Sequence, residues 1–552
     1  MAPKFVILAV LDGWGISAPS AGNAISLANT ININRYIASY PHTELQAAGE
    51  SVGLPRGEAG NTETGHLNLG AGRIVYQDLM RINMSIADGA FFQNKTLLDA
   101  IEHAVKHNSN LHLLGLIGAG GVHSNIDHLF ALLRLCAQKN FTKVFLHLFA
   151  DGRDSPPTAA KIYIQRIREV IDREKVGTIA SIMGRYWAMD RDFRWDRTEK
   201  AYKMLTLGIG NLVKTPEEAI EASYLNGKTD EFIDPALITD ETGKPLATIK
   251  DNDSVIFFNF RIDRPRQLAR SFVFNDFSKA NSTISFDPFL VKYLKKHLEP
   301  VHLKLPDKQP FQRAAKLTNL YFATMTLYEK VLVDEGAIVA FPPENVEMPL
   351  GRILSENGMK QLRASESEKE RFVTFYFNGQ QEFAYEMEDR LIVPSPKVAT
   401  YDLMPEMSAI ELTDQILSRL KNGFEYKFLL VNFANADMVG HTGNIGSAVK
   451  ACQIVDECIA RLANFVLAYD GALVITADHG NVEQMIDAQS GQIETEHSTN
   501  PVPFIVINKD FTGRGQALPS GILADVAPTI LSLIEIPIPS QMTGRNLLEG
   551  MI

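Results

Sequence analysis

Residues 4–15 read Lys4-Phe-Val-Ile-Leu-Ala-Val-Leu11-Asp12-Gly-Trp-Gly15, an unbroken apolar run that ends in an acid and a turn. A run this rich in β-branched residues is typical of a strand buried on both faces of a parallel sheet. Ligands of open α/β sheets bind beyond the carboxyl ends of the strands, so Asp12 occupies a position typical of functional residues. Taken alone, an aspartate that only stabilises a turn with Gly13 is the commoner case.

The chain has 552 residues, more than one ordinary hydrophobic core can accommodate. This length predicts at least two domains. Its composition, 45% hydrophobic and 22% charged, is typical of a soluble globular protein. The net charge of −11 argues against nucleic-acid binding, and no apolar run is long enough for a membrane span. The sequence has only three cysteines and shows no signal-peptide pattern, and both features predict a cytoplasmic location.

Alternating helices and strands between residues 99 and 260 predict a second parallel sheet. The predicted helices are 99–107, 126–139 and 159–174, and the predicted strands are 111–117, 143–149, 178–182 and 254–260. Basic residues recur at or just after the strand ends: His123, Arg153, Arg185, Arg191, Arg261 and Arg264. Guanidinium groups bind carboxylate and phosphate bidentately, so the set predicts a substrate with both groups. Taken singly, each arginine is more simply explained as a solvated surface residue.

Asp154 lies within this cationic set, shortly after the strand 143–149. Positive neighbours should keep its carboxylate ionised, which suits it to move a proton from a bound hydroxyl. The alternative is that Asp154 only orients an arginine.

Weak periodicity and the prolines at 300, 306 and 310 indicate that residues 276–311 form an irregular, exposed connection back to the first domain. A strand at 317–327 and an amphipathic helix at 406–421 are predicted beyond it. Asn378-Gly-Gln-Gln381 is interpreted as the tip of a hairpin.

Acids and histidines follow the predicted strands of the C-terminal third. Asp437 and His441 have the i, i+4 spacing that places both on one side of a helical turn after strand 428–433. Asp478 and His479 follow strand 471–477, and His497 precedes strand 504–507. Carboxylate and imidazole ligands without thiolate predict a hard to borderline cation, namely manganese, zinc or magnesium.

The glycine-rich stretch 59–73 contains Thr62 in a predicted turn where bare backbone permits close approach to a ligand. We interpret Thr62 as the nucleophile of a phosphoryl-transfer enzyme and as a ligand of one of two metal ions. A glycine-rich surface loop with an incidental threonine is the alternative reading of this stretch.

Several long motifs, in a fixed order from residue 4 to about 546, resemble the cofactor-independent phosphoglycerate mutases of the alkaline phosphatase superfamily. They are Asp12-Gly-Trp-Gly15, Gly60-Asn-Thr-Glu-Thr-Gly-His66, Gly120-Gly-Val-His-Ser124, Asp151-Gly-Arg-Asp154, Phe258-Asn-Phe-Arg-Ile-Asp-Arg264, Asn435-Ala-Asp-Met-Val-Gly-His-Thr-Gly443, Asp478-His-Gly-Asn481 and His497-Ser-Thr-Asn-Pro-Val-Pro-Phe504.

This resemblance implies an α/β fold in which an alkaline-phosphatase-like domain with a mainly parallel sheet, 1–76 plus 313–552, is interrupted by an inserted α/β substrate domain, 77–312. It implies one ion bound by Asp437, His441 and His497, and another bound by Asp12, Thr62, Asp478 and His479. It implies that phosphoglycerate is bound by His123, Arg153, Asp154, Arg185, Arg191, Arg261 and Arg264. Lys369 resembles the family lysine that reaches the transferring phosphoryl group.

The chain departs from the family pattern at two places near the predicted site. The usual nucleophile is serine, and the extra methyl of Thr62 restricts its χ1 angle, which can slow transfer. Gly118-Ala119 replaces the usual Ser-Asp before Gly120, which removes an expected support of His123.

The reaction implied by the resemblance interconverts 3-phosphoglycerate and 2-phosphoglycerate with two divalent ions, most simply Mn²⁺, and without bisphosphoglycerate. Thr62 would take the phosphoryl group, glycerate would reorient, and Asp154 would transfer the proton. A metal-dependent phosphomonoesterase, a mutase for another phosphorylated small molecule and an inactive ligand-binding descendant are the alternatives. We expect a monomer with a small-molecule substrate.

Overall fold

The computed structural model describes residues 2–281, 309–313, 315–421, 425–487 and 490–551. Contacts divide the chain into two compact units. Unit 1 comprises Met1–Gln77 and Glu344–Ile552, and unit 2 comprises Asp78–Pro343.

Strands and helices are numbered in chain order. The strands are β1 (Val6–Leu11), β2 (His42–Gln46), β3 (Leu111–Ile117), β4 (Val144–Ala150), β5 (Thr178–Gly184), β6 (Asn211–Val213), β7 (Ala236–Ile238), β8 (Ser254–Phe257), β9 (Tyr321–Thr326), β10 (Ile338–Phe341), β11 (Gln361–Glu366), β12 (Glu388–Val393), β13 (Phe428–Phe433), β14 (Ala472–Thr476), β15 (Val502–Asn508) and β16 (Gly521–Ile522). The α-helices are α1 (Ala24–Ala28), α2 (Ile31–Ser39), α3 (Thr62–Ala71), α4 (Asp78–Asp88), α5 (Lys95–Lys106), α6 (Ile126–Gln138), α7 (Ala160–Glu174), α8 (Arg185–Ala188), α9 (Trp195–Leu207), α10 (Pro216–Leu225), α11 (Arg266–Val273), α12 (Lys330–Asp334), α13 (Leu350–Glu356), α14 (Ala409–Lys421), α15 (Asn435–Gly440), α16 (Ile445–Ala468) and α17 (Val526–Leu533).

The sheet of unit 1 has the strand order β12-β11-β13-β1-β14-β15-β2-β16. β1 is a central strand that pairs in parallel with β13 and β14, and every residue of β1 is buried. β15 is antiparallel to both of its neighbours. The predicted α/β class with a mainly parallel sheet is therefore confirmed. The apolar run forms the strand Val6–Leu11, which is paired at both edges and buried along its whole length.

The sheet of unit 2 has the order β10-β9-β8-β3-β4-β5-β7-β6 and is parallel except at the β5–β7 pair. β9 pairs with β8 in the register Ser254↔Tyr321, and β10 extends the sheet beyond β9. The domain junction expected after residue 312 is therefore wrong, since the chain leaves unit 2 only at Pro343. Most of the predicted connection, residues 282–308, lies outside the described residues.

Two local predictions in unit 1 are also wrong. The glycine-rich stretch is not a turn, because Thr62–Ala71 forms a helix with nine buried residues. Its glycines serve packing: a Cβ at Gly65 would overlap Asp478. Asn378–Gln381 is not a hairpin tip, since β11 and β12 are parallel and the intervening chain contains a π-helical turn, Phe372–Tyr376.

Among the described residues, no helix combines the length and apolar character that crossing a membrane requires. A large cluster of buried apolar residues forms the core of unit 1. In unit 2, two separate clusters of buried apolar residues pack on the two faces of the sheet.

Candidate active site

The predicted metal ligands of unit 1 follow neighbouring strands that end at one edge of the sheet. Asp12 follows β1, Asp437 lies in α15 directly after β13, and Asp478 follows β14. β15 runs antiparallel to β14, so His497, which precedes β15, lies at the same edge. The N–H of Asp437 donates to the carbonyl of Asp12 at 3.0 Å. Strand order alone thus brings these side chains together.

Thr62 is the first residue of α3 and is buried. Asn61 caps the helix by accepting a hydrogen bond from Thr64 N at 2.9 Å. Thr62 Oγ1 lies 3.0 Å from His479 Nε2 and 3.4 Å from Asp12 Oδ1. The positive end of the helix dipole faces groups bound at its first turn, so a negative charge on or near this oxygen is stabilised.

Asp437, His441 and His497 form the first ligand group. Asp437 Oδ1 lies 3.1 Å from His441 Nε2 and 3.2 Å from His497 Nε2. The two Nε2 atoms are themselves 3.1 Å apart. Each Nδ1 contacts a backbone carbonyl, Thr495 O at 2.8 Å and Gly60 O at 2.9 Å, and must therefore hold the ring hydrogen. Two imidazole lone pairs and a carboxylate consequently converge on one point, the arrangement that a divalent cation requires.

Asp12, Asp478 and His479 supply the second group of donors, and all three are fully buried. His479 Nε2 lies 3.4 Å from Asp12 Oδ1 and 3.7 Å from Asp478 Oδ2. Asp478 Oδ2 accepts no hydrogen bond from the described residues. A buried carboxylate oxygen without a donor is costly unless a cation occupies the adjacent space, so the donor set fits a second ion.

Lys369 lies three residues beyond β11 and is buried among these acids. Its Nζ is 2.7 Å from Asp12 Oδ1, 2.7 Å from Asp437 Oδ2 and 3.3 Å from Thr62 Oγ1. Burial lowers the pKa of Lys369, but the charges of Asp12 and Asp437 outweigh it and raise the pKa above its ordinary value. The ammonium group is thus held beside the oxygen that would receive a phosphoryl group.

His479 experiences the same acidic surroundings. Burial lowers its pKa, whereas the charge of Asp478 and a hydrogen bond to Asp12 raise it, with a net value of about 10. A divalent cation supplies the positive charge that this proton would otherwise provide, so metal binding would displace the proton.

His66 and Asn432 belong to the site but were missed in the sequence, where His66 appeared only as the end of a motif. His66 Nδ1 donates to Thr62 O at 3.0 Å and lies 3.2 Å from Asp478 Oδ2. Asn432 Nδ2 lies 3.1 Å from His66 Nε2 and donates to Asp12 Oδ2 at 2.7 Å. Both ring nitrogens of His66 have partners, so the ring links the backbone of Thr62 to Asn432 and, through Asn432, to Asp12.

In unit 2, Arg185 is a buried member of the predicted substrate set. Its Nη1 donates to Asp151 Oδ1 at 2.6 Å and to Asp154 Oδ2 at 2.5 Å. Burial raises the pKa of Asp154, but the hydrogen bond and charge of Arg185 outweigh it and lower the pKa below the ordinary value. His123 Nε2 lies 3.7 Å from Asp154 Oδ2. These contacts keep Asp154 ionised beside a buried cation.

Asp263 joins three other members of the predicted set and was not predicted as a site residue. Arg191 Nη1 donates to Asp263 Oδ2 at 2.6 Å. Asp263 Oδ1 lies 3.3 Å from Arg261 Nε and 3.4 Å from His123 Nδ1. Burial lowers the pKa of His123, against the opposing effect of Asp263. His123 thus has two acidic neighbours although Ala119 replaces the expected acid.

The remaining arginines lie near the same group. Arg264 Nη1 donates to Met189 O at 3.2 Å, and its pKa is lowered by burial and then by the charges of Arg185 and Arg191. Arg153 Nη1 lies 3.7 Å from Glu231 Oε1, and its side chain is 55% exposed. The members of the predicted cationic set each follow the carboxyl end of β3, β4, β5 or β8 along the chain.

Comparison with known proteins shows similarity along the whole chain. Residues 82–330 match the family model described as the BPG-independent PGAM N-terminus. Relatives named 2,3-bisphosphoglycerate-independent phosphoglycerate mutase include those of Clostridium tetani (47% identical over 551 residues), Clostridium novyi (48% over 549) and Chloroflexus aggregans (47% over 551). The alignments cover 100% of both chains for the two Clostridium proteins and 99% of both chains for the third.

A solved structure extends the likeness to the fold. Leishmania mexicana phosphoglycerate mutase, determined at low cobalt concentration, is similar with a TM-score of 0.56 and 26% identity. The similarity covers 98% of this chain and 97% of that chain. Full-length identity near one half, together with these motifs and this fold, places the chain in the family of 2,3-bisphosphoglycerate-independent phosphoglycerate mutases.

Proposed function

We propose that this protein interconverts 3-phosphoglycerate and 2-phosphoglycerate through a phospho-Thr62 intermediate and without bisphosphoglycerate. The observation that supports the proposal most directly is the position of Thr62 Oγ1. It lies at a helix N-terminus, 3.0 Å from His479 Nε2 and 3.3 Å from Lys369 Nζ. A hydroxyl in such surroundings is suited to accept a phosphoryl group, because positive charge is concentrated where negative charge develops.

Two divalent cations are part of the proposal. Asp437, His441 and His497 would bind one ion, and Asp12, Thr62, Asp478 and His479 would bind the other. Such ions lower the pKa of the attacking hydroxyl and neutralise phosphoryl oxygens. Mn²⁺ is proposed first, with Mg²⁺ and Zn²⁺ as alternatives, because the donors are carboxylates and imidazoles without thiolate. The cobalt used with the Leishmania mexicana enzyme is of the same chemical class.

In the proposed reaction, the basic residues bind the phosphoryl group and the glycerate, and an acidic residue transfers a proton. Lys369 donates to a phosphoryl oxygen while Thr62 attacks phosphorus and the ester oxygen of the substrate leaves. His123, Arg153, Arg185, Arg191, Arg261 and Arg264 retain the glycerate through its carboxylate and hydroxyls. In the first transfer the proton of the Thr62 hydroxyl passes to the substrate oxygen that leaves. In the second transfer Asp154, held ionised beside Arg185, accepts the proton of the glycerate hydroxyl that attacks phospho-Thr62, and the Thr62 oxygen regains a proton as its bond to phosphorus breaks.

The decisive experiment measures product identity. Purified protein is incubated with 3-phosphoglycerate and Mn²⁺, without bisphosphoglycerate, and formation of 2-phosphoglycerate and inorganic phosphate is followed. Wild type and Thr512→Ala, an exposed threonine, should form 2-phosphoglycerate at equal rates, and Thr62→Ala should form none. Release of inorganic phosphate as the main product would instead identify a phosphomonoesterase.

A cytoplasmic location and a monomeric state complete the proposal. Cys136, Cys452 and Cys458 are free and buried, which suits a reducing compartment. Light scattering of the purified protein tests the monomer: a mass near 61.2 kDa is expected, and twice that mass would contradict it.

A further inference from the structure

Glu483 is a buried acid outside the predicted site, with 1% of its surface exposed. Its Oε2 accepts hydrogen bonds from the backbone N–H groups of Gly15 at 3.0 Å and Asn481 at 2.8 Å. Its Oε1 accepts from the hydroxyl of Ser498 and from Asn500 Nδ2, the latter at 3.0 Å. Four donors therefore converge on one carboxylate.

These donors belong to the three segments that supply metal ligands. Gly15 lies three residues after Asp12, and Asn481 lies two residues after His479. Ser498 directly follows His497, and its N–H also donates to Gly480 O at 3.0 Å. One side chain thus fixes the spacing between three loops that leave different strands.

The backbone of the first loop is shaped to this carboxylate. A Cβ at Gly15 would overlap the carboxylate carbon and both of its oxygens. The absence of a side chain at residue 15 therefore permits the close approach that the hydrogen bond from Gly15 N requires. Among the described residues, no lysine, arginine or histidine forms an ion pair with Glu483. A buried anion without such a partner is costly, and nearby divalent cations would offset that cost.

We propose that Glu483 is a positioning residue for the two-cation site. It holds the loops of Asp12, His479 and His497 at the spacing that both ions require, and its negative charge raises their affinity. The inference rests on the proposed function, because it presumes that the cations bind.

The test measures metal affinity directly. Metal-stripped wild type, Glu483→Gln and Glu457→Gln, a control at an exposed position of α16, are titrated with Mn²⁺ by calorimetry. Glutamine has nearly the same size as glutamate. Its NH₂ group, however, would face hydrogen-bond donors that bind a carboxylate oxygen in the wild type, and the negative charge of Glu483 is lost. Glu483→Gln should bind Mn²⁺ at least tenfold more weakly, and Glu457→Gln should match wild type. In activity assays the kcat of Glu483→Gln should recover at saturating Mn²⁺, since the reacting groups are intact.

The outcomes separate the two proposals. Wild type that binds no Mn²⁺ refutes the two-cation function itself. Wild type that binds tightly, with an equal affinity for Glu483→Gln, overturns the role of Glu483 only, as does a loss of kcat that saturating Mn²⁺ leaves unrepaired. If Glu483→Gln fails to fold, the Mn²⁺ affinity of the double variant Ser498→Ala/Asn500→Ala is measured in its place. It keeps the charge and removes two of the four donors, so a folded protein with unchanged affinity would overturn the inference and a weaker affinity would support it.

Discussion

Thr62 Oγ1 lies 3.0 Å from His479 Nε2, and the two residues are 417 positions apart in the sequence. His479 Nδ1 contacts Gly480 O at 3.2 Å, so Nδ1 holds the ring hydrogen when the ring is neutral. The Nε2 lone pair then points towards Thr62 Oγ1, where the cation proposed to bind both residues would lie. The proposed nucleophile is therefore placed beside a metal-binding residue from the opposite end of the chain.

Replacement of Thr62 tests this arrangement at the reacting atom. Thr62→Ala should lower kcat by roughly 10³-fold or more, because no oxygen remains to take the phosphoryl group. Thr62→Ser restores the hydroxyl and removes the methyl, so kcat should stay within about tenfold of wild type. Rapid acid quench with ³²P-labelled substrate should trap label on wild type and on Thr62→Ser. Label retained by Thr62→Ala would place the phosphoenzyme at another residue.

Lys369→Met should destabilise the metal-free protein, because two buried carboxylates lose the ammonium that lies 2.7 Å from each. Breaking a buried ion pair of this kind costs about 3–5 kcal/mol. Added Mn²⁺ should restore part of the unfolding temperature by supplying positive charge, while activity stays low. Lys450→Met, at an exposed position of α16, is the matched control and should melt with wild type. A metal-free melting temperature for Lys369→Met equal to that of wild type would contradict the prediction.

Removal of the metal should abolish activity reversibly. Two ions per chain are expected by elemental analysis of active protein, and chelation should leave a folded, inactive protein that Mn²⁺ reactivates. His441→Ala removes one imidazole from the first group and should reduce the bound metal from two ions towards one. Full activity after complete stripping would refute the role of the cations.

Asp263→Asn should raise KM for phosphoglycerate by about tenfold, since Arg191 and Arg261 lose the carboxylate that orients them. The reacting groups of unit 1 are unaffected, so kcat should fall less than KM rises. Asp192→Asn provides a control, because Asp192 is exposed and pairs with Arg194 only at the surface. Equal KM values for the two variants would exclude a positioning role for Asp263.

A fall in pH should destabilise unit 2, because two of its buried histidines have lowered pKa values. Burial lowers the pKa of His128 to about 3, and burial together with His112 lowers that of His147 well below its ordinary value. Both rings are neutral in folded and unfolded protein above pH 6.5, so they contribute no pH dependence there. Below pH 6.5 the unfolded chain binds protons first, and each histidine costs about 1.4 kcal/mol of stability per pH unit.

Urea unfolding at pH 7.5, 6.5 and 5.5 checks the direction and size of this effect. The midpoint should fall between pH 6.5 and 5.5, and less steeply in His128→Gln, which cannot titrate. His107→Gln, an exposed histidine of unit 2, should keep the wild-type slope. An identical slope for His128→Gln would show that His128 does not set the acid sensitivity.

Much of the candidate site could be predicted from the sequence because parallel strands end at a common edge. Asp12, Asp437 and Asp478 each follow a strongly apolar run, so the position of each was visible without knowledge of its neighbours. Asp263 and Glu483 could not be assigned in this way, because their roles depend on which donors approach them from other loops.

The errors in the fold have related causes. β9 is apolar enough to be recognised as a strand, but its pairing with β8 rather than with a strand of unit 1 is a long-range contact that periodicity does not encode. Gly65 and its neighbours resemble turn residues, whereas their small size permits α3 to pack closely against Asp478. A glycine-rich stretch can therefore form either a turn or a closely packed helix.

The central place of β1 has a consequence for biosynthesis. β1 leaves the ribosome more than 400 residues before its partner β13. At ordinary elongation rates of 5–20 residues per second, this delay is roughly 20–80 s. During that interval the nascent chain exposes an apolar segment with two unpaired edges, which makes it a binding site for chaperones and a hazard for aggregation.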